Sequence, residues 1–203
     1  MTTVANMARR LNSRHPVGWR LPPLILMTDA ARLPDPLAAA ARLPAGTAVI
    51  LRDHDAPDRL ALAAALSALC RARRLRLLVA ADAALAARVG ADGVHLPERL
   101  VARTPRRWPR HWLVTAAAHS PAALWRARRA GADAALLSPV FATASHPGAG
   151  TVGVLRFAAW ANASPLPVYA LGGIDAATAR RLTDSRTVGL AGIGGMTDRP
   201  ARR

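Results

Sequence analysis

The sequence predicts a single (β/α)8 barrel of parallel strands. Short apolar runs alternate along the chain with segments of helical pattern, which is typical of repeated βα units. The tripeptide Gly-Ala-Asp occurs at residues 90–92 and again at 131–133, where a helix should end and a buried strand should begin. Glycine adopts the left-handed conformation that ends many helices, so we interpret Gly90 and Gly131 as helix C-caps. A length of 203 residues fits one such domain.

Eight apolar runs are candidate strands, and six helical patterns lie between them. The strands are predicted at residues 24–28, 48–52, 76–80, 93–96, 112–116, 134–138, 168–171 and 188–191. The helices are predicted at residues 35–43, 57–73, 82–89, 121–130, 154–163 and 176–183. Pro105 and Pro109 limit any helix within residues 98–110. This alternation closes most naturally into a barrel, and an open doubly wound sheet is the alternative.

Both ends of the chain and one loop depart from a regular barrel. Residues 142–153 form a long glycine-rich connection of the kind that often acts as a lid. Only residues 197–203 remain beyond the eighth strand, so the C-terminal helix is expected to be abbreviated and one flank to be open. The N-terminal segment or a homodimer contact would cover it. Residues 1–20 are predicted to be an N-terminal extension, and residues 21–203 the barrel.

The charge of the chain is strongly positive, +16 at neutral pH, and all 28 basic residues are arginine. The arginines are scattered, mostly over predicted helices, and we interpret them as solvated outer faces, with attraction of phosphorylated substrates as the alternative. No motif indicates specific nucleic-acid binding. No apolar run is long enough to cross a bilayer, and the first residues lack a signal-peptide core. Cys70 is the single cysteine, so we expect a buried thiol and a cytoplasmic protein.

Two glycine clusters follow the last two predicted strands. They are Gly172-Gly173 and residues 192–195, which include Gly194 and Gly195. Barrel enzymes often hold phosphate at this place, because backbone N–H groups of glycines converge on an oxyanion without obstruction by side chains. A small phosphorylated ligand is therefore predicted there. Tight packing where strands turn is the alternative interpretation.

Four of the six histidines fall at or just past predicted strand ends: His54, His95, His119 and His146. Histidine in this position is suited to general acid/base chemistry near neutral pH, although a structural or solvent-facing role stays open for each. No histidine pair has zinc-like spacing and no carboxylate clearly accompanies them, so no metal site is predicted. Arg52, at the end of the second strand, is a candidate for binding an anion.

Residues 90–96, 131–141 with Thr143, and 167–174 carry a resemblance to a known family. The chain resembles the thiamine phosphate synthases and their TenI-like thiazole tautomerase relatives from residue 24 to Met196. The resemblance implies a (β/α)8 barrel that binds a thiazole-type phosphate. It also implies the phosphate-binding residues, which would be Gly172, Gly173, Gly194, Gly195 and Thr143.

The synthase of this family joins a pyrimidine diphosphate to a thiazole phosphate with the help of Mg²⁺. Where the family has Asn-Asp after the third strand, this chain has Ala80-Ala81, and Leu100 aligns with the second magnesium aspartate. Of the family's Gln-x-Arg-x-Lys after the second strand only Arg52 persists, and His146 replaces the lysine of the sixth loop. The resemblance therefore implies a lost magnesium site, and we expect no cofactor.

The tautomerase branch needs no magnesium and shifts a proton on a phosphate-anchored ring. Its proposed histidine lies in a Ser-x-His-Ser context after the fifth strand, and Ala118-His119-Ser120 occupies that place here. Our hypothesis is a thiamine-metabolism enzyme that transfers a proton through His119. The other candidates are His146 and Arg52 for catalysis, and His54, His95 and Ser145 for the pocket. The alternatives are a divergent synthase and a non-catalytic phosphate-ligand sensor or regulatory protein, and a homo-oligomer stays open.

Overall fold

A computed structural model describes residues 3–103, 107–143, 150–194 and 196. Eight parallel strands form a closed barrel in which each strand pairs with the next and β8 pairs with β1. The strands are β1 (Leu24–Met27), β2 (Ala48–Leu51), β3 (Arg76–Ala80), β4 (Gly93–Leu96), β5 (Leu113–Ala118), β6 (Ala134–Leu137), β7 (Val168–Leu171) and β8 (Thr187–Gly192). The predicted (β/α)8 barrel is confirmed, and the open sheet is wrong.

Helices follow each of the first seven strands, and one more precedes the barrel. They are α1 (Val4–Arg14), α2 (Pro36–Ala41), α3 (Arg59–Arg73), α4 (Ala83–Arg88), α5 (Glu98–Val101), α6 (Pro121–Arg129), α7 (Val154–Asn162) and α8 (Ala176–Ala179). Short 3-10 turns lie at Gly18–Arg20 and Arg180–Leu182. None of the described helices is long and apolar enough to cross a membrane.

The Gly-Ala-Asp repeats end helices as predicted. Gly90 and Gly131 have φ angles of 62° and 79°, in the left-handed region that favours glycine. The N–H of Ala91 donates to the carbonyl of Ala86 at 2.9 Å, and the N–H of Ala132 donates to that of Ala127 at 3.1 Å. These bonds satisfy carbonyls that the helix leaves unpaired, and they turn the chain directly into the next strand.

The flank beside β8 is covered by the N-terminal helix. Val4, Met7, Ala8 and Leu11 of α1 are buried in the main apolar core, and α1 packs against β8, β1 and α8. The side-chain amide of Asn12 donates to the carbonyls of residues 21 and 188, at 3.1 and 3.0 Å. The N-terminal segment therefore occupies the place of a helix after β8. A homodimer and the domain boundary at residue 20 stay predictions.

The strands separate two apolar layers. Side chains such as Ile25, Ile50 and Leu78 fill the barrel interior, and their neighbours along each strand face the helices. Tyr169 closes the interior at the N-terminal end of the strands, where its hydroxyl donates to the carbonyl of Pro22 at 2.7 Å. Burial raises the pKa of the Cys70 thiol to about 12, with the charge of Asp92 adding to the effect, so this thiol is unreactive at neutral pH.

Candidate functional site

A large cleft opens at the C-terminal ends of the strands. Its volume is about 1720 Å³, and its walls are the segments that follow β1, β2, β4, β5, β6, β7 and β8. Pockets for one small ligand usually measure roughly 300–1,000 Å³. The cleft therefore has room for more than one small molecule. Barrel enzymes carry their sites at this end.

The glycine pair after β7 forms one wall of the cleft and needs glycine at both positions. Gly172 and Gly173 have φ angles of +97° and +64°. A Cβ atom added to Gly173 would lie 2.4 Å from the carbonyl oxygen of Ala142, and one added to Gly172 would lie 2.9 Å from the Cα of Pro139. Such distances are shorter than van der Waals contact. The backbone here is therefore held in a conformation that a side chain would disrupt.

Two further features make this wall suitable for an anion. The hydroxyl of Thr178 donates to the carbonyl of Gly173 at 2.9 Å and ties the glycine turn to α8. Gly194 follows the neighbouring strand β8 and also lines the cleft, and a Cβ added to it would meet nothing within 4 Å. Thr143 also lines the cleft. The structure thus brings together Gly172, Gly173, Gly194 and Thr143, whereas Gly195 lies outside the described residues.

Arg181 adds a positive charge to the same wall. Its guanidinium carbon lies 5.2 Å from the ring centroid of Phe141, and both residues line the cleft. Arg181 is exposed, as expected for a solvated arginine, and it also borders the cleft. The predicted helix 176–183 is α8 followed by a 3-10 turn, and Arg181 lies in that turn.

His119 is held by a carboxylate at another wall of the cleft. Glu98, the first residue of α5, accepts the His119 backbone N–H at 3.0 Å and lies 2.6 Å from Nδ1, with Oε2 in both cases. Its other oxygen accepts from the guanidinium of Arg126 in α6 at 2.6 Å. The His119 side chain is 53% exposed, and it lines the cleft. The expectation that no carboxylate accompanies the histidines is therefore wrong for His119.

Arg52 lies in the cleft as an ion pair. Its guanidinium donates to the carboxylate of Asp29, which follows β1. The backbone N–H of Arg52 donates to the hydroxyl of Thr28 at 2.9 Å, and the carboxylate of Asp53 accepts from the N–H of Ala30 at 2.6 Å. These contacts fix the loops after β1 and β2 against each other. The positive charge of Arg52 is thereby placed at the cleft with a partner beside it.

His54 and His95 lie near Arg52 and differ in exposure. Partial burial lowers the pKa of His54, as do the charges of Arg59, Arg99 and Arg52, while Asp55 opposes them. His95 is almost fully buried in β4, and its Nδ1 lies 2.9 Å from the hydroxyl of Thr115. Both histidines line the cleft, as does His119, whereas His146 and Ser145 lie outside the described residues.

We expect His95 to make stability fall as the solution becomes acidic. Burial lowers its pKa to about 3, with the charges of Arg52 and His54 as further causes. Below the ordinary pKa of about 6.5, the unfolded chain binds a proton at this residue and the folded chain does not. The free energy of unfolding should therefore drop by about 2 kcal/mol from this residue between about pH 7 and about pH 5.

Urea unfolding of the wild type and of His95→Gln at the two pH values measures this contribution. The variant should lose less stability on acidification than the wild type by that amount. An equal loss in both proteins would mean that His95 is protonated in the folded chain.

The described residues do not form a suitable binding site for the magnesium ion that the family's synthases use. Ala81 and Leu100 stand where the family has ligands, and neither side chain has an oxygen to offer. Five described carboxylates line the cleft: Asp29 pairs with Arg52, Asp53 accepts from the N–H of Ala30, Glu98 holds His119, Asp175 caps α8, and Asp55 is exposed. Within the described ranges no three histidine, cysteine or carboxylate side chains are grouped to hold a metal. We therefore derive no step through a metal ion.

Comparison with known proteins identifies the family. The family model described as "Thiamine monophosphate synthase" matches residues 24–196. This chain belongs to the thiamine monophosphate synthase family. It is 37% identical over 175 residues to the thiamine-phosphate synthase of Chromobacterium violaceum, across 84% of each chain. It is 36% identical over 148 residues to the putative thiamine-phosphate synthase 2 of Aquifex aeolicus, across 71% of this chain and 80% of the relative.

A solved structure agrees with the assignment to the thiamine monophosphate synthase family. The thiamine phosphate pyrophosphorylase of Pyrococcus furiosus superposes with a TM-score of 0.69 at 26% identity, over 86% of this chain and 87% of that one. Within the family framework, sequence reasoning missed Glu98, Arg126 and Arg181 as cleft or supporting residues. A signal existed for Glu98, because it is the single glutamate in the chain and lies two residues after the end of β4.

Proposed function

We propose that this member of the thiamine monophosphate synthase family binds a thiazole-type phosphate and transfers a proton on its ring without a metal ion. The carrying observation is the Glu98–His119 contact of 2.6 Å, which lies in the same cleft as the Gly172-Gly173 turn. The glycine turn and Gly194 would hold the phosphate through backbone N–H groups, and Arg181 would add a cation. Thr143 and Gly195 would be the remaining phosphate-binding residues.

His119 would act as acid and base in turn. A neutral imidazole takes a proton from the ring at one atom and returns it at another, which changes the position of the proton but not the overall charge. His95 is suited to the pocket wall rather than to this step, because its pKa of about 3 keeps it neutral. Arg52 and His54 would border the ring, and His146 and Ser145, which lie outside the described residues, stay candidates for catalysis and for the pocket.

A second candidate is a divergent synthase, supported by two observations. The curated relatives with which the chain shares most of its length are named thiamine-phosphate synthases. The second observation is the cleft itself, which exceeds the volume of one small ligand and is lined by Arg52 and Arg99. Their charges would stabilise a departing diphosphate, the task that magnesium has in the family.

Two measurements on the purified chain decide between these functions. The first is titration calorimetry with thiazole carboxylate phosphate, with EDTA and then with Mg²⁺. The second is proton NMR in D₂O, because a proton shift through His119 exchanges ring protons with solvent deuterium. Binding in EDTA together with enzyme-dependent deuterium incorporation supports the proposal.

Other outcomes would contradict it. Condensation of thiazole phosphate with the pyrimidine diphosphate, without deuterium incorporation, would establish the synthase. Tight binding with neither reaction would indicate a sensor or regulatory protein. No binding of either thiazole phosphate would refute a phosphate site at Gly172-Gly173.

A further inference from the structure

We propose that Glu98 is a positioning residue, which fixes the tautomer and the orientation of the His119 ring, and that Arg126 fixes Glu98. The inference rests on the proposed function for its effect on turnover, but the tautomer itself is measured without substrate. Glu98, His119 and Arg126 come from three successive parts of the fold: the start of α5, the end of β5 and the middle of α6.

The hydrogen bonds around Glu98 assign its charge and the proton on His119. Oε1 accepts from the Arg126 guanidinium at 2.6 Å, and Oε2 accepts from the His119 backbone N–H at 3.0 Å. Both oxygens are thus occupied by groups that only donate, which fits an ionised carboxylate without a proton of its own. A carboxylate can only accept, so the 2.6 Å contact with Nδ1 requires an N–H on that atom.

A proton on Nδ1 leaves Nε2 as the acceptor of the neutral ring. The two nitrogens lie on opposite sides of the imidazole, so a ring that is anchored through Nδ1 presents Nε2 away from Glu98. Among the described residues none forms a hydrogen bond with Nε2, and half of the side chain is exposed at the cleft. The atom that would take the substrate proton is therefore free and has a fixed direction.

The carboxylate also suits the protonated ring. When Nε2 takes a proton from the substrate, the ring becomes an imidazolium whose Nδ1–H still donates to Glu98. Return of the Nε2 proton to another substrate atom restores the neutral ring, so no proton is gained or lost over the cycle. A carboxylate behind a catalytic histidine holds the tautomer and stabilises the imidazolium in this way in unrelated enzymes.

Helix geometry explains why the ring cannot turn away easily. Ser120 caps α6, where its hydroxyl accepts the N–H of Ala123 at 3.2 Å, so His119 directly precedes a fixed helix start. Glu98 forms hydrogen bonds with both the backbone N–H and the ring of His119. Arg126 lies in the second turn of the same helix and binds the other oxygen of Glu98. Two separate anchors therefore constrain one side chain.

The test is ¹⁵N–¹H NMR of the imidazole of His119 in the full chain without ligand, at a pH where the ring is neutral. The wild type should show the Nδ1–H tautomer. Glu98→Gln keeps an oxygen for the backbone N–H but offers Nδ1 an uncharged amide, so the signals should shift toward a mixture or toward Nε2–H. Deuterium incorporation should fall at least about tenfold, with the affinity for thiazole carboxylate phosphate unchanged.

Arg126→Gln is the second variant, and Arg129→Gln on the same helix is its matched control. Arg126→Gln should shift the tautomer partly, since Glu98 loses its other anchor, and Arg129→Gln should leave it unchanged. A wild-type Nδ1–H tautomer that persists in both Glu98→Gln and Arg126→Gln would overturn the inference. So would a wild-type ring in the Nε2–H form. If the tautomer shifts in the variants as expected but the wild type shows no deuterium exchange, only the proposed function is refuted.

Discussion

Replacing His119 with glutamine is expected to lower the rate of proton transfer by roughly 10²- to 10⁴-fold, the usual contribution of a positioned acid or base. Glutamine keeps a polar side chain of similar length but cannot exchange a proton near neutral pH. The phosphate wall that we propose consists of Gly172, Gly173 and Gly194, not of His119, so ligand affinity should stay almost unchanged. Deuterium incorporation gives the rate, and calorimetry gives the affinity.

His111→Gln is the matched control for this experiment. His111 precedes β5 at the opposite end of the barrel, where its ring contacts the edge of Trp112, and it does not line the cleft. Its loss should leave both rate and affinity unchanged. A fully active His119→Gln protein would assign the acid/base role to another residue, with His146 as the next candidate. A parallel loss of affinity and rate would instead make His119 a binding residue.

The barrel follows from the sequence because its strands are short, continuous and buried on both faces. In β1, β2 and β6 every residue is apolar and buried, so each strand is visible as an uninterrupted apolar run without alternation. Residues that end or begin helices reinforce the pattern, as Gly131 and Ser120 do. Local chemistry and global architecture agree in these segments, which makes them predictable.

The N-terminal helix was also visible in the sequence, although the segment is interpreted there only as an extension. Val4, Met7, Ala8 and Leu11 follow the spacing of one helix face, and all four are buried against the barrel. Thr3 supplies the cap that such a helix needs, since its hydroxyl accepts the N–H of residue 6 at 3.1 Å. The pattern does not show which flank of the barrel the helix covers.

The Glu98 cluster shows what sequence patterns leave out. Glu98 and His119 are 21 residues apart, and their contact depends on where α5 and the end of β5 meet in space. The helix α5 has only four residues, too few for an amphipathic face to be recognised. Arg181 is a similar case, since it lies in the turn after α8 and meets the ring of Phe141, which follows β6. Such contacts arise from tertiary structure.

Replacing Gly173 with alanine is expected to damage the phosphate wall more than any other single methyl group there. At φ +64° an alanine is strained, and its Cβ would lie 2.4 Å from the carbonyl oxygen of Ala142. The chain must shift to relieve both, at a cost of roughly 1–3 kcal/mol in the free energy of unfolding. The shift would misdirect backbone N–H groups, whose bonds to a charged ligand are worth about 1.5–3 kcal/mol, so affinity should fall roughly 10- to 100-fold.

Gly150→Ala separates this effect from a general cost of replacing glycine. A Cβ at Gly150 meets nothing within 4 Å, and its φ lies outside the left-handed region, so stability should change by less than about 0.5 kcal/mol. Urea unfolding and calorimetry with thiazole carboxylate phosphate compare the two variants. If Gly173→Ala binds the ligand as the wild type does while losing stability, the glycine pair serves chain packing alone. A phosphate would then be held elsewhere in the cleft, and Gly194 after β8 is the first candidate, because a Cβ added there would meet nothing within 4 Å.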